Sequence, residues 1–294
     1  MLAKLFPVLA LLLSCAAAPL PREALELNTR GANALAQGDL ETADSALSIA
    51  LEYSPHFVEA LANLGLVECQ RGNFVRARSL LLRARRLNPD VAQPHHALGI
   101  LAERERRPEV AAEHYWDALR VDPGFAPARE NLGRLQFDAR QYDAASLTFK
   151  KLIQVAPHAP SGYTGLAEAL LQLERIDEAD ALIEHTRQTF PDDADVALLV
   201  ARVHLRNGEF ASARELLESL ESRGDDHSAR ALGWLAILEL AQGHPHVALE
   251  HTNRALGLVP NDPVALYAAA EALSALGDPR APAWRERARK LGSR

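Results

Sequence analysis

Apolar residues along the chain recur at helical spacing in blocks of about a dozen residues, and each block is closed by glycine or proline. The blocks come in pairs, and the pairs repeat. Prolines stand at Pro55, Pro89, Pro123, Pro157 and Pro191, each 34 residues after the last. Alanines at Ala43, Ala77, Ala111, Ala145, Ala179 and Ala213 keep the same beat. Both series resume one residue late, at Ala248 and Pro260, which places a one-residue insertion near Gly224-Asp225-Asp226. Two residue types holding one period over so many units predict a repeat array of helical hairpins, each packed on its neighbours.

The units fall at 24–57, 58–91, 92–125, 126–159, 160–193, 194–228 and 229–262, and a degenerate eighth with a C-terminal capping helix runs over 263–294. A small residue recurs in the first helix, at Gly31, Gly65, Gly99, Gly133, Ala167, Ala201 and Ala236, where it admits the paired helix. The turn between helices shows as Gly38-Asp39, Gly72-Asn73, Gly208-Glu209 and Gly243-His244, glycine ending a helix in the left-handed conformation. Large apolar residues follow it at Leu40, Phe74, Tyr142, Ile176 and Phe210 and are expected to pack into the hairpin. Pro108, Pro245 and Pro279 replace them elsewhere, as a first helical turn tolerates. The recurrent prolines stop the second helix. In the last unit Pro282 stands where the alanine should be.

This pattern resembles the tetratricopeptide repeat, over residues 24 to about 262. The resemblance implies an all-α fold, a right-handed superhelical solenoid of about seven to eight helix-turn-helix units whose first helices line a concave face. Mapped here, that face carries Asn28, Asn63, Leu66, His96, Ile100, Arg134, Phe137 and Thr164, and further along Glu168, Leu198, Arg202, Leu205, Trp234, Ile237 and Tyr267. Asn63, His96, Arg134, Phe137, Arg202, Trp234, Ile237 and Tyr267 are the expected partner-binding residues. Trp234, Ile237 and Tyr267 are expected to form an aromatic–aliphatic platform near Arg202, residue types that dominate interfaces; the plainer reading packs the two aromatics against neighbouring repeats. A two-carboxylate clamp for chaperone tails needs Lys and Asn, then Asn, then Lys and Arg. The matching positions hold Asn28, Ala32, Asn63, Gln93 and Ala97, of which only Asn63 fits.

Composition supports helices: 48% of residues are hydrophobic but only 5% aromatic, and the apolar content is mainly Ala and Leu. A net charge of −7 gives no electrostatic footprint for nucleic acid. Charge is uneven, though. From Arg71 to Arg107 nine arginines meet Asp90, Glu103 and Glu105, whereas from Asp177 to Asp195 seven carboxylates meet only Arg187. Such runs are solvated helix faces or a means of orienting a partner.

The first fifteen residues, MLAKLFPVLALLLSC, combine Lys4 with an apolar run too short to span a bilayer, the build of an export signal. Leu12-Leu13-Ser14-Cys15 resembles the lipobox of bacterial lipoproteins, which implies that residues 1–14 are a signal peptide, that Cys15 is lipidated, and that 15–23 form a short linker. Ala16-Ala17-Ala18 offers the alternative of ordinary cleavage after Ala18. By the same resemblance Ala16, not being aspartate, points to an outer-membrane anchor facing the periplasm. Cys69 is the one thiol beyond the leader and is expected to be a partly buried small hydrophobe. His95 and His96 are adjacent, and His244, His246 and His251 lack helical ligand spacing, so no metal site is expected. No phosphate-cradling loop or nucleophile elbow occurs. The reading is a non-enzymatic, membrane-anchored scaffold for envelope proteins, with a peptide or helix in its groove and neither cofactor nor small-molecule substrate. The alternative class is an enzyme or enzyme subunit of envelope metabolism, with the solenoid as a carrier. The lipobox, short linker and repeats together resemble pilotin-like lipoproteins of type IV or Tad pili, which help assemble secretins.

Overall fold

The computed structural model describes residues 19–223 and 226–292, which form sixteen helices and no strand. The segment expected to be a signal, the lipobox-like residues with Cys15 and part of the 224–226 insertion lie outside the described residues. The chain divides at Pro123 and Gly124 into two compact units. The first unit holds α1 (Arg22–Ala36), α2 (Leu40–Tyr53), α3 (Val58–Gln70), α4 (Phe74–Leu87), α5 (Ala92–Arg104) and α6 (Pro108–Val121). The second holds α7 (Ala126–Asp138), α8 (Tyr142–Val155), α9 (Pro160–Gln172), α10 (Ile176–Thr189) and α11 (Ala194–Arg206). It continues with α12 (Phe210–Glu221), α13 (Asp226–Ala241), α14 (Pro245–Leu258), α15 (Pro263–Ala275) and α16 (Ala281–Gly292). Odd and even helices pair as hairpins, and each even helix packs on the next odd one within its unit.

The recurrent small residues set the spacing within a hairpin. Ala43, Ala77 and Ala111 in the first unit, and Ala145, Ala179, Ala213 and Ala248 in the second, are fully buried. Opposite them the first helix comes close enough that a Cβ on Gly65 would lie 2.5 Å from Cδ2 of Leu81. Leu47, Leu81 and Tyr115 thus lie against Gly31, Gly65 and Gly99. The second helix stops where proline demands: Ser54, Asn88 and Asp122, each just before a proline, are extended, with φ of −141°, −146° and −132°. Four of these proline carbonyls accept from a side chain: Pro55 from Arg83, Pro89 from His95, Pro157 from Tyr163 and Pro260 from Arg287.

The turn inside each hairpin is more regular than its glycines suggest. Positive φ occurs at Gly38, Gly72, Arg106, Arg140, Glu174, Gly208, Gly243 and Gly277, one residue per hairpin. Three turns therefore force a long side chain into the left-handed region, at φ of 58° to 60°. A Cβ there costs about 1–2 kcal/mol, and glycine returns part of that as unfolded-state entropy. Arg106→Gly, Arg140→Gly and Glu174→Gly should each stabilise the protein by about 1 kcal/mol, read as a rise in urea midpoint with unchanged slope. A loss of stability would mean that these side chains hold the turn in some other way.

Three local expectations are corrected. Ile176, expected to pack into its hairpin, is 37% exposed and so is covered only in part. Cys69 is fully rather than partly buried, and burial pushes its thiol pKa up. In the last hairpin Ala281 and Ala288 take the buried places, and α16 begins only at Ala281, four residues after Gly277, where α14 begins two residues after Gly243. Pro282 is therefore the exposed neighbour of the packing residue, and Pro279 stays in the turn.

Ion pairs join neighbouring hairpins at one recurring place, from the second helix of one to the end of the first helix of the next. Asp44 receives Arg71 Nη1 at 2.8 Å, and Arg78 in turn donates to Glu105. In the second unit Asp180 receives Arg206 at 2.7 Å, and Arg214 donates to the buried Glu239 at 2.6 Å. The acid lies on the earlier hairpin in one junction and on the later hairpin in the next.

Candidate functional site

In the first unit the expected concave residues mostly hold one another. Asn63 Nδ2 donates to Asn28 Oδ1 at 2.9 Å, and Gln93 Nε2 donates to Asn63 Oδ1 at 2.7 Å, an amide ladder across α1, α3 and α5. Asn63 and His96 are buried. The His96 ring lies 5.7 Å from that of Tyr115, and burial lowers its pKa to about 4, so it is neutral at pH 7. A partner would meet Leu66 and Ile100, both half-buried, before either polar group.

The second unit presents a cleft of about 260 Å³ that gathers Arg134 and Phe137 of α7, Thr164 and Glu168 of α9, and Leu198 and Arg202 of α11. These six were all mapped to the concave face from the sequence. Leu198 is buried and belongs to the floor. The cleft also uses residues that mapping overlooked: Phe149 and Gly165 in the floor, Glu130, Asp195 and Arg230 on the rim. Arg202 is fixed from two sides, by the Glu168 carboxylate and by the face of Trp234, whose ring centre is 5.1 Å from the guanidinium carbon. Trp234 is half-buried and packs on the core around Leu198, Leu217 and Leu235. Ile237, one turn further along α13, packs on a small core of Ala236, Ala248, Ala268 and Ala272. Tyr267 stands 52% exposed on α15, which packs against α13. Trp234 therefore serves both readings given by the sequence, core and surface, whereas Tyr267 is mainly surface.

A larger cleft, about 490 Å³, lies between α10, α11 and α12, and none of the expected groove residues lines it. The acidic run is neutralised from outside itself: Glu178 by Arg175, Asp180 by Arg206, Asp195 by Arg230. In the basic run Arg71, Arg76, Arg78 and Arg107 face carboxylates. Two of the histidines are held singly: His95 Nε2 donates to the Pro89 carbonyl at 3.0 Å, and His244 lies 2.9 Å from Glu239. Among the described residues no group of three His, Cys, Asp or Glu is placed to hold a metal ion, and no helix is long and apolar enough to cross a membrane.

One tetratricopeptide-repeat family model matches residues 28–92, 96–160 and 198–263, and a second matches 137–203. The chain belongs to the tetratricopeptide repeat family. Its tetratricopeptide array is a scaffold for protein partners. Among curated proteins it is similar to the type IV pilus assembly protein PilF of Pseudomonas aeruginosa, with 27% identity over 179 residues, 59% of this chain and 69% of that one. It is also similar to the cellulose synthase operon protein C of Pseudomonas fluorescens, at 27% over 81% of this chain, spanning 20% of that longer protein. Among solved structures, that of Pseudomonas aeruginosa PilF matches with a TM-score of 0.57 at 24% identity, covering 71% of this chain and 94% of that one; at this identity the match speaks for the tetratricopeptide fold alone.

Proposed function

We propose that this protein is a lipoprotein scaffold of the bacterial envelope that assists assembly of a pilus or secretin machine by holding a partner segment in the concave cleft of its second unit. The observation that carries the reading is that cleft. Arg202 is locked between Glu168 and Trp234, which pre-orders a residue type that anchors interfaces. The pilus assignment draws on the similarity to PilF across 69% of that protein and on the lipobox-like Leu12 to Cys15. Acylation of Cys15 would hold the array within a short linker of the outer membrane, facing the periplasm, and raise the local concentration of partner and machine. The protein is not an enzyme in this reading: helical hairpins fill the described residues from Arg22 to Gly292.

Two measurements test it. Cys15→Ser should move the protein from the membrane to the soluble periplasmic fraction. Affinity capture from detergent-solubilised membranes should recover pilus or secretin components with wild type and about tenfold less with Trp234→Ala plus Tyr267→Ala. Equal recovery by both would remove the cleft from the account, and recovery of unrelated partners would remove the pilus.

A further inference from the structure

The floor of the second unit's cleft depends on one glycine. Gly165 lies on α9, and the equivalent places in the next two hairpins hold Leu199 and Trp234. The ring of Phe149 fills the space beneath it: a Cβ on Gly165 would stand 2.5 Å from Cε1 and Cζ of that ring. Phe149, admitted by Gly165, thus joins Phe137, Leu198 and Leu199 in the floor and walls of a notch. At about 260 Å³ it is smaller than the roughly 300–1,000 Å³ of clefts that enclose whole small ligands, and an entire helix, about 10–12 Å across, cannot enter it. Its size suits one bulky side chain projecting from a segment that lies across the rim.

The rim decides what accompanies that side chain. Three guanidiniums each face a carboxylate: Arg134 with Asp138, Arg202 with Glu168, Arg230 with Asp195. Glu130 of α7 is the fourth carboxylate of the cleft and has no cationic partner among the described residues. The rim is thus one negative charge out of balance, on a chain whose net charge is −7. An incoming cation gains Coulomb energy at Glu130, and an incoming carboxylate must displace a pair already made.

We propose that the notch at Gly165 takes a phenylalanine or leucine side chain of a partner protein, and that a lysine or arginine next to it in the partner pairs with Glu130. This rests on the reading of the cleft as the partner site and adds the chemistry of what enters it. Trp234 and Arg202 then form the end wall of the site, with the apolar anchor seated between α7, α9 and α11.

The test uses three fluorescein-labelled peptides with Gly-Ser arms and the centres Lys-Phe-Lys, Lys-Ala-Lys and Glu-Phe-Glu, titrated by anisotropy into the full chain carrying Cys15→Ser. The Lys-Phe-Lys peptide should bind at least about tenfold more tightly than Lys-Ala-Lys, as burial of one aromatic side chain requires. It should exceed Glu-Phe-Glu by about two- to fivefold, a margin that shrinks as salt is raised. Glu130→Lys should invert the preference between the two Phe peptides. Thr164→Trp, which fills the notch from its wall, should abolish Phe-dependent binding while helicity and melting temperature stay as in wild type. Equal affinity for Phe and Ala centres, no binding of any peptide at about 1 mM, or indifference of the flank preference to Glu130→Lys overturns the proposal. So does a concentration-dependent mass that Thr164→Trp removes, because the occupant would then be a second copy of the chain. If these arms fail while capture from membranes still depends on Trp234 and Tyr267, the partner site stands and only the anchor chemistry falls.

Discussion

As the pH falls from 6.5 to about 4, the first unit should lose roughly 3 kcal/mol of stability. The cause is His96, whose ring burial holds its pKa at about 4 against an ordinary 6.5, with Glu103 opposing weakly. In the unfolded chain the ring takes its proton near 6.5, whereas in the fold it stays neutral until about 4. Between those values the unfolded state binds more protons, so acid favours unfolding, and the loss is complete only below the folded value. His114 of α6 is also shifted downward by burial and pushes the same way. Hydrogen exchange of α5 and α6 at pH 7, 5.5 and 4.5 should show progressively freer opening, and His96→Gln should flatten that slope. A slope unchanged by the substitution would place the acid sensitivity elsewhere.

Tyr115→Ala is expected to destabilise the protein by about 4 kcal/mol, the usual penalty for emptying a large aromatic site in a core. Tyr115 is fully buried, lies against Gly99, stacks obliquely on His96, and its hydroxyl donates to Glu103 at 2.5 Å. No neighbour can flow into the space, because the opposing residue on α5 is glycine. Tyr115→Phe keeps the packing and should cost only about 1 kcal/mol. Denaturant unfolding of both variants separates the terms, and a Tyr115→Ala loss below about 1 kcal/mol would show that this hairpin collapses onto its cavity. Because His96 and Tyr115 touch, Tyr115→Ala should also relieve part of the His96 shift, so the two effects will not add.

The hairpins were legible because their spacing depends on residue types that only one geometry requires. Alanine every 34 residues marks helix contact, and proline every 34 residues marks a helix stop. The turns were half legible. Glycine announces a left-handed residue, but Arg106, Arg140 and Glu174 occupy the same conformation under constraint from flanking helices, and nothing in their identity says so. The cleft was legible where a repeat-by-repeat mapping sufficed, for Arg134, Phe137 and Arg202. It was opaque where the repeats differ: Gly165 stands where later hairpins hold Leu199 and Trp234, and it admits the ring of Phe149, which reaches the floor from a second helix. The acidic run looked unbalanced because its counter-charges, Arg175, Arg206 and Arg230, lie outside it and reach it only in the folded chain.

The alternating ion pairs between hairpins have a genetic consequence. Tandem repeats invite slippage, and loss of one 34-residue copy in frame would leave every helix period intact. Without residues 58–91, however, Asp44 would meet Glu105, carboxylate against carboxylate. An array of identical junctions would tolerate such a deletion unnoticed. This one carries the order of its members in the sign of its contacts, so a shortened copy is marked by repulsion at the scar.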